Sequence, residues 1–499
     1  MKSGTIIGAC LILALLLILP GVGADVNVEL RMNSAIEWIA EQQLTSVPFP
    51  GFARGTDPST NGTIYVKDQA LVALALSEYR YTHNTVQYNA MIDTAANFTM
   101  SAQTPLGDFY EYYDVRDGHW HNYGDLYSWD AYAIGALALT SYRVTAEVQT
   151  PSNFWYGVEA KLKKSVSSFI GDQREDGAWL FRVEGTAGRK ALTRENALML
   201  AGLSYIGFFE RLWGRPQQAA YYGFLAEKTA KWVFSMQVAD LTQFNYGGFP
   251  HSDVNSTQFA DENGEILRGI QGYYSAIASL VDNPSPTIQD TRRLMVYWVR
   301  GFVNQMSDSY GGLYYARTAS AIVFQPQTTL GNAWVLRALV DIWVDLGDPA
   351  FRDGSGVVYD WMAGHNVAGA DLQGAPNLAG GNGGFYRSIN GSSVDTTSTM
   401  DVTAPALYAI TDAAYIKIPE VPTTTTTSSA TTSSKGESFL TTSGRTATTS
   451  ASSSTTNGNS VNSLMYGAAV LVVVIVLVAV FLALRRRGRK ETADANRNR

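Results

Sequence analysis

Four acidic residues, Asp68, Asp130, Glu195 and Asp401, each stand near the head of a run of small and apolar residues long enough to form a helix. Two carboxyl groups brought to one cleft are what hydrolysis of a glycosidic bond requires, one as proton donor and one as base or nucleophile. The same residue types have a plainer use at a helix start, where an acid answers the free N–H groups and the helix dipole. Sequence spacing does not separate the two uses, because the distance between the acids depends on how the helices close.

A second set of residues suits the same chemistry. The stretch 109–129, FYEYYDVRDGHWHNYGDLYSW, carries Tyr110, Tyr113, His119, Trp120, His121, Tyr127 and Trp129. Pyranose rings lay their C–H faces on Tyr and Trp while Arg, Asp and Asn bond the hydroxyls, so this run reads as one wall of a sugar pocket. Trp179 with Arg182, Tyr314 with Arg317 and Tyr386 with Arg387 occupy corresponding loops. Packing of loops onto helix ends explains any single one of these aromatics equally well. Arg54, Arg182, Arg317 and Arg387 would also neutralise a uronate carboxylate in a lyase or epimerase, with Tyr and His moving protons. His119 and His121 would need two further ligands to hold a metal, with His251 as a candidate third, so no metal site and no cofactor is expected. Asp261, Glu262, Asn263 and Glu265 read as a solvated acidic loop, with calcium binding as the alternative.

The elements that position these groups repeat along the chain. Segments with bulky apolar residues at helical spacing cover 34–43, 88–103, 154–173, 219–237, 291–306 and 354–365. More evenly apolar helices start near Asp68, Asp130, Glu195, Gln271, Asn332 and Asp401, between 61 and 76 residues apart. The first kind has a polar face and belongs outside; the second is apolar nearly all round and belongs inside. Connections from inner to outer helices are mostly short, while those from outer to inner helices are long and carry glycine beside aromatics. One rim is therefore built up, and that rim is where a site belongs. In one such loop Gln173, Gly177 and Trp179 keep the spacing Gln-x3-Gly-x-Trp.

Six outer–inner pairs close naturally into a ring. The chain resembles the (α/α)6 toroids, which include the six-hairpin glycosidases, several polysaccharide lyases and, in related forms, terpenoid cyclases and protein prenyltransferases. Its Gln173–Trp179 unit is similar to the Gln–Trp motif of squalene-type cyclases, where that motif is structural. The resemblance implies an all-α domain over about 25–420 with short β-hairpins in the rim loops. It also implies acids gathered near the ring axis. The Asp-x-Asp-Asp motif of class II terpenoid cyclases is absent, and the zinc-binding cysteine of prenyltransferases has no counterpart, since the single cysteine, Cys10, lies in the apolar leader.

Flanking segments set an expected topology. Residues 1–24 read as a signal peptide, with Lys2, an apolar run from Ile6 to Leu19, and small residues Val22, Gly23 and Ala24. Residues 421–463 form a Ser/Thr-rich stalk, and 464–484, from Leu464 to Leu484, an uncharged apolar run. At about 1.5 Å per residue that run reaches about 30 Å, enough to cross a bilayer. Residues 485–499, opening with Arg485, Arg486 and Arg487, read as a cytoplasmic tail. Sequons stand at Asn61, Asn97, Asn255 and Asn390. A net charge of −7 without a concentrated basic face argues against nucleic-acid binding. The expectation is a surface-anchored carbohydrate-active protein, first a glycoside hydrolase on extracellular or envelope glycans. The alternatives are a non-catalytic glycan-binding or envelope-structural toroid, and a lyase or uronate epimerase.

Overall fold

The computed structural model describes residues 26–55, 61–145, 153–183, 186–278, 286–373 and 383–415. The expected signal peptide, stalk, membrane span and basic tail lie outside the described residues. Among the described residues no helix is long and apolar enough to cross a membrane.

Among these residues twelve long helices alternate between two rings. The outer set is α1 Val26–Glu41, α3 Asn89–Ser101, α5 Asn153–Ser168, α7 Pro216–Ser235, α9 Pro286–Trp298 and α11 Pro349–Met362. The inner set is α2 Val66–His83, α4 Ser128–Thr145, α6 Thr193–Leu212, α8 Ala260–Ala278, α10 Thr329–Leu346 and α12 Met400–Tyr415. Each inner helix packs on the next, and α12 packs on α2, so the inner ring is closed. Outer helices α3, α7 and α11 lie against the inner helices that precede them, while α1, first in the chain, lies against α12. The two ends of the domain are thus fastened together, with Arg31 of α1 bonding Asp371 at 2.8 and 2.5 Å and Gln373 donating to the Arg31 carbonyl at 2.7 Å.

Small residues make the inner ring tight. A Cβ on Gly269 would stand 2.3 Å from the Ala197 carbonyl oxygen, so α6 and α8 approach to a distance that only glycine permits. The inner helices are buried almost all round; in α6 this extends from Thr193 to Glu210 with few breaks.

The long connections form small antiparallel sheets. β1 Gln43–Leu44 pairs with β2 Gly51–Phe52, and β3 Thr63–Tyr65 joins β4 Tyr112–Asp114 and β5 His119–His121. β6 Phe181–Arg182 pairs with β7 Arg189–Lys190. β8 Gln258–Phe259, β9 Ala316–Arg317 and β10 Ile322–Val323 make a fourth group, and β11 Gln327–Thr328, β12 Tyr386–Asn390 and β13 Ser393–Ser398 a fifth. All three three-stranded sheets unite strands from successive loops, so the loops brace one another around the rim.

One boundary differs from expectation by a full three turns. The fourth inner helix begins at Ala260 and not near Gln271. The acidic segment Asp261–Glu265 is its first turn, with Glu262 and Glu265 buried, and so is neither a solvated loop nor a calcium loop. Charge in a helix start that faces a ring axis mimics the composition of a surface loop.

Candidate active site

The inner helices share one register, fixed by a side chain that accepts a hydrogen bond from the loop before it. Gln69 accepts from the Phe52 N–H at 2.9 Å, Asp130 from Phe109 at 2.7 Å and Asn196 from Trp179 at 2.7 Å. Asn263 accepts from Phe249 at 2.8 Å, Asn332 from Leu313 at 2.9 Å and Thr403 from Phe385 at 3.1 Å. A loop residue held at this point ties each rim loop to its helix start. The one or two residues before the anchor then occupy equivalent places in every repeat, and there the charges collect: Lys67 and Asp68, Arg194 and Glu195, Asp261 and Glu262, and Asp401.

The densest group lies between α6 and α8. The Arg194 guanidinium bonds Glu195 Oε1 at 2.6 Å and lies 3.5 Å from Glu265 Oε2 and 3.8 Å from Glu262 Oε1. Ser128 of α4 donates to Glu195 Oε1 at 2.7 Å, and Tyr132 of α4 donates its hydroxyl to Glu265 Oε2. Helices α4 and α8 are not neighbours in the ring, so the Tyr132–Glu265 bond runs inside it, past α6. Lys67 of α2 sits over the Tyr132 ring, 4.2 Å from its centroid. His251, in the loop leading to α8, meets Glu262 at 2.9 Å.

The acids in this group titrate apart. Burial pushes the Glu265 carboxyl up to about 7 against the pull of Arg194 and Lys67. Burial acts on Glu195 too, yet the Arg194 charge and hydrogen bonds from Arg194 and Ser128 outweigh it and hold that group below the usual carboxylate range. The hydrogen bond to Glu262 raises the His251 imidazole. Glu195 Oε2 and Glu265 Oε1 are buried with no hydrogen-bond partner in the protein. Buried carboxylate oxygens are rarely left so, and two of them in one cluster mark a place where a ligand or water completes the bonding.

A second group adjoins it. Arg54 bonds Asp68 at 3.1 Å, reaches Asp401 at 3.6 Å and lies over the Tyr65 ring at 3.8 Å. Burial raises Asp68 to about 6 despite Arg54, while Arg54 and Lys67 overcome burial at Asp401 and lower it.

No protein-family model matches this sequence, and no curated protein matches it. Solved structures do. The chain is similar to a cellobiose 2-epimerase from Bacillus thermoamylovorans B4167 at 12% identity and a TM-score of 0.58, over 77% of this chain and 98% of that one. It is similar to a D-mannose isomerase at 12% identity and a TM-score of 0.57, over 77% and 97%. A protein described as a glycosidase matches at 13% identity and a TM-score of 0.51, over 79% and 99%. These likenesses show the fold, an (α/α)6 toroid.

The toroid distributes the expected site residues unevenly. Glu195 stands in the cluster on Arg194, and Asp68 and Asp401 meet at Arg54. Asp130 joins neither group: its two oxygens accept from the backbone N–H groups of Phe109 and Tyr127, both at 2.7 Å. Burial raises its carboxyl well above the usual range against those two bonds. Three other repeats carry asparagine at this register, and Asp130 does the work of one.

Trp179 is fully buried and donates from Nε1 to Thr229 of α7 at 3.0 Å, so it pins the loop to an outer helix. Gln173 bridges the Gly177 carbonyl at 3.3 Å and Thr229 at 3.1 Å, and Gln103, Gln237 and Gln373 repeat this bridge with Gly107, Gly247 and Gly383. Trp129 donates to the Phe109 carbonyl at 2.8 Å and stacks on Tyr127 at 4.2 Å. Trp120 packs among Phe49, Phe98, Tyr110 and Tyr113, so much of the aromatic run is the core of a rim sheet. His121 stacks on Tyr112 and meets Asp117 at 2.8 Å, whereas His119 is exposed. Among the described residues no group of three or more His, Cys, Asp or Glu is arranged to hold a metal ion.

Arg317 is wholly buried and donates to Gln258, Gly301, Gln305, Asn245 and Tyr246. The Gly301 carbonyl it uses lies in a π-helical turn, Val299–Val303, that extends α9. It is a loop clamp, out of reach of any sugar. Arg182 is half-exposed near Asp125 at 3.9 Å. Tyr314 packs edge-on to Phe324, and Tyr386 and Arg387 stand on β12 at the rim, with Arg387 exposed and contributing to the lowering of Asp401.

Sequence reasoning missed Lys67, Tyr132, Arg194, Glu262 and Glu265 as site residues and gave His251 only a metal role. The signal was present: each charged one precedes or follows the loop anchor of its helix by one or two residues. Reading it required the anchor register, which is visible in the sequence only as an unremarkable Gln, Asp, Asn or Thr.

Proposed function

We propose that this toroid is a carbohydrate-active enzyme, and specifically a glycoside hydrolase with Glu265 as proton donor and Glu195 as its ionised partner. The observation that carries the reading is the split between two buried carboxyl groups on one arginine. Glu265 keeps its proton near neutral pH and Glu195 does not, which is the division of labour that cleavage of a glycosidic bond needs. Glu265 would protonate the leaving oxygen. Glu195, oriented by Ser128 and Arg194, would meet the developing positive charge on the sugar ring or activate a water. Arg194, half-buried at the top of the cluster, covers both acids and would move aside or bond a hydroxyl when sugar enters.

The similarity of the fold to that of proteins named as an epimerase, an isomerase and a glycosidase supports a sugar as the substrate class. The sequence-level topology completes the proposal: a domain exported past a signal at 1–24 and held at the cell surface by the span 464–484, its substrate an extracellular or envelope glycan. All four sequon asparagines are exposed, which fits an exported domain.

The test is a screen of the full-length chain on α- and β-linked glycans, repeated with Glu195→Gln and Glu265→Gln. Either substitution is expected to lower turnover by about a hundredfold or more, with the melting temperature preserved. An active enzyme indifferent to both would sink the assignment.

A second reading rests on the His251–Glu262 pair. A histidine raised by a buried glutamate is a proton carrier, and on the cluster that also holds Tyr132 it suits epimerisation or isomerisation of an aldose through its open-chain carbonyl. Exchange of the C2 hydrogen for deuterium from solvent, lost in His251→Asn, would select this reading over hydrolysis.

A further inference from the structure

At the end of the ring opposite the Arg194 cluster, the last turns of the inner helices surround a cavity of about 550 Å³. Small-molecule sites run from about 300 to 1,000 Å³, so the space suits a ligand of one or two rings. Its walls come from all six inner helices: Glu78 of α2, Arg143 of α4, Tyr205 of α6, Arg268 and Gln271 of α8, Asp341 and Asp345 of α10, and Asp412 of α12.

The charges on these walls do not cancel. Four carboxyl groups, Glu78, Asp341, Asp345 and Asp412, face Arg143, Arg268 and the fully buried Arg337 beneath them. Arg143 meets Glu78 at 2.7 Å, Arg337 meets Asp412 at 2.7 Å and Asp341 at 3.1 Å, and Arg268 lies 3.7 Å from Asp341. Every guanidinium is therefore taken. Asp345 has no ion-pair partner among the described residues; burial lifts its carboxyl to about 6 against a side-chain hydrogen bond from Gln271 and the through-space pull of Arg268 and Arg292. Its Oδ2 is buried without a hydrogen-bond partner, and so is Oε1 of Gln271, whose side chain is almost wholly buried on the adjacent helix. Two unpartnered acceptors thus line one side of a cavity with a surplus negative charge. At Asp412 burial and the neighbouring charges of Glu78 and Asp341 favour the protonated form despite Arg337, so in the empty cavity a proton balances the surplus that a bound cation would balance instead.

We propose that this cavity is a second ligand site, separate from the mouth of the toroid, and that it takes a small organic ammonium ion. The ammonium donates to Asp345 Oδ2 and Gln271 Oε1 and supplies the missing positive charge. The Tyr205 ring in the same walls favours a cation further, while Tyr81 and Tyr142 already carry the Arg143 guanidinium. An anion would meet four acids whose arginines are already engaged. A neutral polyol would satisfy the acceptors and leave the charge. The proposal does not rest on the hydrolase reading: the two clusters share no residue.

Titration calorimetry on the full-length chain tests it, with glucosamine as the cationic probe and glucose as its neutral counterpart. Glucosamine is expected to bind the unaltered chain and the Glu195→Gln/Glu265→Gln double variant alike. Binding should weaken about tenfold or more in Asp345→Asn and in Gln271→Met, and glucose should bind more weakly than glucosamine by a similar factor. Asp345→Asn removes an uncompensated acid, so its melting temperature should hold or rise; should it fall, Gln271→Met carries the comparison. Equal binding of the two sugars, no measurable glucosamine binding, or binding lost in the mouth variant and kept in both cavity variants would overturn the proposal.

Discussion

Asp130 and Glu195 look alike in the sequence, each an acid in the first turn of an inner helix after a long loop. A single position separates them. Asp130 occupies the anchor register and spends both oxygens on backbone N–H groups, while Glu195 stands one residue before the anchor, where one oxygen is left over. Asp130→Asn would keep the bond to the Phe109 N–H and lose a buried ionisable group, matching Asn196, Asn263 and Asn332. It should leave activity essentially unchanged and cost about 1 kcal/mol of stability, since the amide cannot also accept from the Tyr127 N–H. Asp130→Ala strands two buried donors and should cost on the order of 1–3 kcal/mol, measurable by denaturant titration. A loss of activity in Asp130→Asn with normal stability would return Asp130 to the reacting centre. The presence of acids at the helix starts was legible from composition and periodicity. Which acids converge was not, because convergence depends on register, and register is set by a hydrogen bond of a kind that any Gln, Asn, Asp or Thr makes.

At the scale of elements, four of the six loops are held by two ties, the helix anchor and a glutamine bridge. Gln173 reports both the Gly177 carbonyl and α7, which is why the Gln-x3-Gly-x-Trp spacing read correctly as a fastening. Gly177 has φ +102, and a Cβ there would lie 2.1 Å from the Lys228 carbonyl oxygen. Gly177→Ala is therefore expected to lower the melting temperature by several degrees, through backbone strain of about 1–3 kcal/mol and a displaced α7. An unaltered melting curve would show that the loop is not clamped there. The aromatic run 109–129 illustrates the limit of composition: its density of rings predicts a binding wall, but Trp120, Tyr113 and Phe49 make a small core beneath the rim sheet. The start of α8 was misplaced for a related reason. Helical periodicity is read from apolar residues, and Asp261, Glu262 and Glu265 are polar because they face the axis cluster and not because they face water.

For the whole molecule, alternation of outer and inner helices predicted the ring, and closure follows from α1, first among the described helices, filling the place beside α12. Removing residues 26–41 should expose the apolar face of α12 and broaden or abolish cooperative unfolding by circular dichroism; a retained sharp transition would show that the ring closes without its first helix. The charged belt of Lys67, Arg194, Glu195, Glu262 and Glu265 sits at one end of this ring, where three inner helices bring different charges to one axis. Because burial sets Glu265 to about 7, its proton is present below neutral pH and lost as pH rises past that value. Glu195, held low by Arg194, stays ionised down into the acid range. The most direct measurement is the pH dependence of kcat/KM on a cleaved glycan. The account predicts a plateau in mildly acidic solution, an alkaline fall centred near pH 7, and disappearance of that fall in the residual activity of Glu265→Gln. A rate that holds steady from pH 5 to about 9, or an alkaline fall that survives unchanged in Glu265→Gln, would contradict it.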